Sequence, residues 1–117
     1  MRLVFLMVMT FLVAGVTCSS AQTPLLAYVD ANGFLDVQKL TCAQLANTWQ
    51  GDADRLMAWY GGWYNGLAKK HDWHPARGLE LEHEVIVFCK ANQGLRIIDA
   101  LAVVFKDERI RNGTEMK

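Results

Sequence analysis

Apolar residues recur at helical spacing along most of this chain, and the pattern predicts an all-α protein. We expect the first helix between Thr41 and Trp49, because Thr41 and Gln44 have the spacing of a capping box. We expect the second helix to begin at Asp52, whose carboxylate can cap a helix, and to continue to about Lys70.

The second predicted helix carries an apolar stripe that spans about 100° of its circumference. The stripe comprises Leu56, Trp59, Tyr60, Trp63 and Leu67, and Met57 and Tyr64 widen one edge of it. Gly62 and Gly66 lie at the other edge, where a neighbouring helix could approach closely. Such a stripe is most often plain core, but a small domain has limited room to bury so many large rings. The alternative is that part of the stripe binds another protein.

A polar segment from His71 to Leu79, interrupted by proline and glycine, predicts a loop after the second helix. The third helix is expected to begin near Glu80. Glu80, Glu82 and Glu84 would then lie beside its N-terminus, where the helix dipole favours the charged carboxylates and lowers their pKa.

The remaining apolar positions complete a four-helix pattern. The third helix is expected to bury Leu81, Val85, Phe88 and Cys89, and Asn92 and Gly94 predict a tight corner after it. A fourth helix would bury Leu95, Ile98, Leu101, Ala102 and Phe105, with a charged tail from Lys106 onward. Four short helices around one core form a small helical domain.

The start of the chain has the pattern of a secretory signal peptide over residues 1–21. Arg2 gives a positive start, residues 3–16 are apolar, and small residues end at Ala21, after which we expect cleavage. The apolar run is shorter than the about 20 residues of a membrane span, so no membrane anchor is expected to remain. Residues 22–40 are expected to form an extended arm, or a hairpin around Asn32-Gly33, before a helical domain of residues 41–117.

The charge of the chain argues against nucleic acid as a partner. Lys and Arg number 12, Asp and Glu also number 12, and loss of Arg2 with the leader leaves a net charge of −1. A nucleic-acid-binding domain usually carries a basic stripe and a positive field, and neither is found here. In acid the carboxyl groups become neutral, so the net charge turns strongly positive and repulsion favours expansion.

Two cysteines, Cys42 and Cys89, remain after the leader is removed. An exported protein enters an oxidising compartment, where such a pair most simply forms one disulfide. Closing this loop would reduce the entropy of the unfolded chain and so stabilise the fold by about 4 kcal/mol. Neither cysteine has neighbours that would lower its pKa, so a reactive thiol pair is the less favoured interpretation.

Motifs of enzyme chemistry are not found in the sequence, so we expect neither an enzyme nor a cofactor. There is no nucleophile elbow, phosphate-binding loop or Cys-x-x-Cys pair, and the glycine-rich GGWYNG lies in a helical pattern rather than after a strand. His71, Asp72 and His74 with His83 could ligate a metal ion, but a solvated polar loop is the more common explanation of such residues.

Three segments together resemble the HdeA/HdeB family of periplasmic acid-stress chaperones. They are TCAQLA at the first cysteine, AWYGGWYNGLA in the second helix and VFCKAN at the second cysteine. The resemblance extends from about Thr41 to Leu101. It departs from the family at Gln93, where a proline is common, and in the N-terminal arm, which has no clear counterpart.

The resemblance implies a function and a set of roles. Cys42 and Cys89 match the single disulfide of the family. The protein would be a periplasmic, ATP-independent holdase that is a homodimer at neutral pH and binds unfolded client proteins in acid. The dimer and client surface would comprise Leu56, Trp59, Tyr60, Trp63, Tyr64 and Leu67, and the pH-sensing carboxyls would be Asp52, Asp54, Glu80, Glu82 and Glu84.

A second function class fits the same sequence. Small exported helical proteins with one disulfide also include dedicated binding proteins, such as toxin-immunity proteins and inhibitors of cell-wall enzymes. A dedicated binder would hold one partner tightly at neutral pH, whereas a holdase would bind many unfolded proteins only in acid.

Overall fold

Four α-helices and one short 3-10 helix make up the computed structural model, which describes residues 22–112. They are a 3-10 helix at Leu25–Tyr28, α1 at Cys42–Ala46, α2 at Gln50–Leu67, α3 at Pro75–Ala91 and α4 at Ile97–Asn112. Among the described residues the only β-type pairings are two isolated bridges. The prediction of an all-α, four-helix fold is confirmed. The predicted signal peptide, residues 1–21, lies outside the described residues.

The first helix begins as predicted but is shorter. The Thr41 hydroxyl accepts a hydrogen bond from the Gln44 amide, and the Gln44 side chain accepts one from the Thr41 amide, which forms a capping box. The helix ends at Ala46 because the next residues turn to meet the N-terminal segment. There the buried Thr48 hydroxyl donates to the carbonyl oxygen of Thr23 at 2.9 Å.

The second helix begins at Gln50, so the prediction that Asp52 caps it is wrong. Asp52 lies in the first turn, and its carboxylate accepts a hydrogen bond at 2.9 Å from the backbone amide of Leu25. At the other end the Lys70 amide donates to the Asn65 carbonyl at 2.8 Å, and the Lys69 amide donates to that of Gly66 at 3.1 Å. This is a Schellman motif, which requires the left-handed backbone that Lys69 adopts at φ 54°.

The third helix begins at Pro75, five residues before the predicted start at Glu80. Proline is favourable at the first helical position because it lacks only an amide that would be unpaired there. His74 caps the helix, and its Nδ1 atom accepts from the Arg77 amide at 3.2 Å. The first turn contains no acidic residue, so the placement of the three glutamates at the helix N-terminus is wrong.

The corner after α3 is confirmed, whereas the buried face of α4 differs from the prediction. Asn92 ends α3 and α4 begins at Ile97. The buried positions of α4 are Ile97, Ala100, Leu101, Val104 and Glu108. Leu95 and Ala102, which were predicted to be buried, are exposed because α4 turns a different arc toward the core.

Residues 106–112, predicted as the start of a charged tail, continue α4 instead. Arg111 holds the Glu84 carboxylate of α3 with a shortest N···O distance of 2.7 Å. Arg77 of α3 lies 3.6 Å from the Glu108 carboxylate, whose side chain is only 6% exposed. These two ion pairs bind the last turns of α4 to α3, which explains why the helix extends beyond Lys106.

The disulfide joins the start of α1 to the end of α3, as predicted. Cys42 and Cys89 are bonded, their Cα atoms are 4.6 Å apart, and both side chains are completely buried. Backbone hydrogen bonds reinforce the junction: the Cys42 amide donates to the Leu95 carbonyl at 2.7 Å, and the Ile97 amide donates to the Leu40 carbonyl at 2.9 Å. We call α1, α3 and α4 the clamped unit, because these bonds and the core connect all three helices.

Residues 22–40, expected as an extended arm, instead contain the 3-10 helix and a turn, and they pack along α1 and α2. The turn places Gly33 at φ 84°, a conformation that glycine adopts without strain. The Thr23 amide donates to the Asn47 carbonyl at 2.9 Å, and the Trp49 indole N–H donates to the Gln22 carbonyl at 3.0 Å. The segment is also held by apolar side chains: Leu40 is buried in the core, and Leu25, Leu35 and Val37 pack against it.

Candidate functional site

The predicted apolar stripe of α2 divides into a buried side and an exposed side. Leu56 and Tyr60 are buried in the core. Trp59 and Leu67 are 48% and 65% exposed, and Trp63 and Tyr64 are intermediate. The stripe is thus core along one edge and exposed surface along the other.

The aromatic rings of the stripe contact one another in a row. Trp59 and Trp63 have ring centroids 5.7 Å apart, and those of Trp63 and Tyr64 are 5.3 Å apart. Tyr64 then meets Phe105 of α4 edge to face at 5.6 Å. Each such ring pair stabilises the fold by about 0.5–1.5 kcal/mol in addition to the effect of burying apolar area. We call Trp59, Trp63 and Tyr64 the aromatic row; it leads from solvent at Trp59 to the clamped unit at Phe105.

Tyr60 connects this part of α2 to the N-terminal segment. Its ring is completely buried, and its hydroxyl donates a hydrogen bond to the carbonyl oxygen of Val37. Burial raises the pKa of Tyr60 above its ordinary value, so the hydroxyl remains a donor. The Tyr60 side chain thus packs in the core and also holds the backbone at Val37, a few residues before the buried Leu40.

A groove of about 660 Å³ opens between α2, the connection after it, α3 and α4. Its walls are mostly apolar and include Met57, Tyr60, Leu81, Leu101 and Phe105, with Trp73 and Leu79 also lining it. Trp73 and Leu79 are 74% and 69% exposed. This volume falls in the range of small-molecule sites, about 300–1,000 Å³.

Three glycines on α2 leave that wall of the groove without side chains. Gly61, Gly62 and Gly66 all line it, and a Cβ atom at any of them would meet no heavy atom within 4 Å. The expected close approach of a helix at Gly62 and Gly66 is therefore not found. The glycines make room in the groove instead.

Two carboxyl groups meet in the groove, Asp54 from α2 and Glu82 from α3. Burial, followed by a hydrogen bond with Asp54 and repulsion from it, raises the pKa of Glu82 to about 7. The same hydrogen bond, together with one from Gln50 Nε2 at 2.7 Å, lowers the pKa of Asp54. Near neutral pH Glu82 is therefore partly protonated, and in that form it can donate to the Asp54 carboxylate. The expectation that Glu82 is stabilised as a carboxylate is wrong.

The other predicted pH-sensing carboxyls lie apart from this pair. Asp52 accepts from the N-terminal segment, Glu84 binds Arg111, and Glu80 is exposed. The Arg77–Glu108 ion pair was missed, because a buried glutamate on a helix predicted as a charged tail gives no sequence signal. The proposed metal residues His71, Asp72, His74 and His83 do not converge: no group of three or more potential ligands is found in residues 22–112.

Comparison with known proteins finds no matching family model, no matching curated protein and no matching solved structure. Within the part of the chain that the structure describes, no helix has the length and apolar character needed to span a membrane.

Proposed function

We propose that this protein is an exported, ATP-independent holdase that is activated by acid in the periplasm, as the resemblance to the HdeA/HdeB family implies. The observation that carries the proposal is the half-exposed aromatic row on α2, a helix that the disulfide does not tie down. A holdase needs apolar surface that can be uncovered without loss of the whole fold, and this arrangement provides one.

The attachment of α2 to the rest of the protein supports an acid response. Asp52 binds the N-terminal segment through its carboxylate, and Asp54 accepts a hydrogen bond from Glu82. Protonation of Asp54 weakens the acceptor on which its contact with Glu82 depends. The disulfide meanwhile holds α1 and α3 together whatever the pH, so acid would release α2 and the N-terminal segment first.

At neutral pH we expect the aromatic row to be covered by a second copy of the chain. Trp59 is half-exposed and lies beside Trp63 on the same helix face, and tryptophan is among the residues most enriched at protein interfaces. The same rings would then bind unfolded clients after acid separates the two copies.

Light scattering of a reporter protein that aggregates in acid tests this proposal. The mature, oxidised protein should suppress scattering at about pH 2 to 4 and have no effect on thermal aggregation of the same reporter at neutral pH. Sedimentation should give a dimer at neutral pH and a monomer in acid. Scattering that is unchanged in acid would exclude a holdase and favour the dedicated binding protein.

A further inference from the structure

The groove between α2 and α3 combines apolar walls with a single acidic centre. Its apolar part is formed by Met57, Leu101 and Phe105, with Trp73 and Leu79 also lining it. Ligand sites typically have this composition: mostly apolar surface with a few convergent polar groups. The aromatic row of the proposed function lies elsewhere on α2, so the groove is a separate surface.

The acidic centre retains hydrogen-bonding capacity that the protein does not use. Among residues 22–112 no N–H group donates to the Oε1 atom of Glu82, although that atom is buried. Buried carboxyl oxygens normally accept a hydrogen bond, and leaving one unpaired is unfavourable. A ligand that brings N–H donors into the groove would remove this cost.

The remaining charged groups around the groove define the sign of that ligand. Asp72, Lys70 and His71 line it from the connection after α2, together with Asp54 and Glu82. Three carboxyl groups thus stand against one lysine and one histidine. The net charge of the lining is therefore negative, and it is more negative when Glu82 is ionised.

We propose that the groove binds a small organic cation with an apolar body, an aryl- or alkylammonium, whose ammonium group donates hydrogen bonds to the Asp54 and Glu82 carboxyl groups. The apolar body lies against Phe105 and Trp73, where aromatic faces also attract cations. The bare glycine wall of α2 leaves space for the body. No covalent step is involved.

Calorimetric titration with 2-phenylethylammonium tests the proposal, with 2-phenylethanol and 3-phenylpropionate as neutral and anionic counterparts. The ammonium should bind, and the other two should bind at least tenfold more weakly. Because the ligand displaces a proton from Glu82, whose pKa is about 7, its affinity should be about tenfold lower at pH 6 than at pH 8.

Two variants locate the site without threatening the fold. Glu82→Gln keeps the shape of the protonated side chain, so it should fold normally, bind the ammonium at least tenfold more weakly and lose the pH dependence. Gly61→Leu should fill the groove and abolish binding, and it replaces a helical glycine where a Cβ has open space. The matched control Glu80→Gln changes an exposed glutamate on the same helix and should bind like the natural sequence.

Some results would overturn the proposal. Equal affinity for the ammonium and the alcohol would show that the carboxyl pair does not contribute. Full affinity and pH dependence in Glu82→Gln would place the ligand elsewhere. No binding of any of the three compounds would show that the groove is not a site for this class of ligand. None of these results affects the holdase proposal, because clients would bind the aromatic row.

Discussion

Glu82 and Asp54 show how one contact gives two carboxyl groups opposite pKa shifts. Burial and the neighbouring acid raise the pKa of Glu82 from 4.5 to about 7. Between about pH 4.5 and pH 7, therefore, Glu82 keeps its proton in the folded protein but has lost it in the unfolded chain. The stabilisation is fully present below about pH 4.5 and is lost as the pH rises from there through about 7. Asp54 is shifted downward, so its contribution is present above its ordinary value and is lost as the pH falls through its lowered pKa.

The first prediction follows from the sign of the Glu82 shift. The melting temperature should rise as the pH falls from about 8 to 6, by an amount equivalent to about 1 kcal/mol because Glu82 is only partly buried. Glu82→Gln should remove this dependence, since glutamine cannot lose a proton. Glu80→Gln, exposed and outside the pair, should keep it. Thermal melts by circular dichroism across this range measure the effect, and a flat profile for the natural sequence would contradict it.

Tyr60 provides a second prediction at the scale of one side chain. Tyr60→Phe keeps the buried ring and deletes the hydroxyl that donates to the Val37 carbonyl. The free energy of unfolding in urea should fall by about 1–2 kcal/mol, because the carbonyl loses its partner. Tyr64→Phe, in a half-buried ring of the same helix, should cost less. A larger loss at Tyr64 than at Tyr60 would show that the hydroxyl of Tyr60 does not anchor the N-terminal segment.

At the scale of the elements, local signals predicted the fold well and tertiary relations were not predictable. The capping box of Thr41 depends on a short spacing and is confirmed. The pairing of Cys42 with Cys89 is the exception among tertiary relations: it was predictable because the expected mature chain contains only these two cysteines, and it is confirmed. The start of α3 was missed because Pro75 was interpreted as a loop residue. Proline at the first helical position, with His74 before it as a cap, was the available signal.

The candidate site was predictable only in part, for a physical reason. Periodicity placed the apolar stripe on one side of α2, but which edge of it is buried depends on the position of its neighbours. Leu56 and Tyr60 face them, whereas Trp59 does not. The meeting of Asp54 with Glu82 requires α2 and α3 to pack in one particular register. Spacing within one helix carries no information about that register.

The disulfide gives a prediction for the clamped unit. Reduction, or Cys42→Ser, should destabilise the mature protein by about 4 kcal/mol, because the unfolded chain regains the entropy of an open loop. In a domain whose total stability is about 5–15 kcal/mol, helical circular dichroism and melting temperature should both fall. Cys89→Ser should match Cys42→Ser. Equal melting of oxidised and reduced protein would contradict this prediction.

The aromatic row gives a prediction that separates binding from stability. Trp59→Ala combined with Trp63→Ala should reduce client protection in acid far more than it shifts the acid midpoint of unfolding, because Trp59 is already half-exposed. A buried ring would instead cost about 3–5 kcal/mol on truncation. Ile110→Ala, at an exposed apolar residue of α4, is the control and should leave protection unchanged. If protection follows stability alone across these variants, the row is core and not a binding surface.

At the scale of the whole molecule, the described carboxylates join elements that the disulfide does not. Glu84 binds Arg111, Glu108 binds Arg77, and Asp52 binds the N-terminal segment. The contact between Asp54 and Glu82 opposes the release of α2 in mild acid, because Glu82 is protonated there and Asp54 is still ionised. We therefore expect α2 to stay in place until the pH falls well below neutral, and then to leave over a narrow range.

The last prediction concerns that transition. A dye that binds apolar surface should begin to fluoresce below about pH 4 and lose its signal on neutralisation. Glu84→Gln removes the ion pair that joins α3 to Arg111 of α4, so the dye signal from unfolding of the clamped unit should move to higher pH. Glu80→Gln, which has no such ion pair in the described structure, should leave it in place. A protein that stays compact and silent toward the dye at about pH 2 would contradict the acid response.

The positions of the tryptophans give this molecule a built-in reporter. All four in the chain, Trp49, Trp59, Trp63 and Trp73, lie on α2 or in the segments that flank it. Intrinsic fluorescence therefore senses α2 and its ends, while far-ultraviolet circular dichroism averages over every helix. If the fluorescence changes at a higher pH than the circular dichroism, α2 separates while the clamped unit is still folded. This measurement needs no label on the protein.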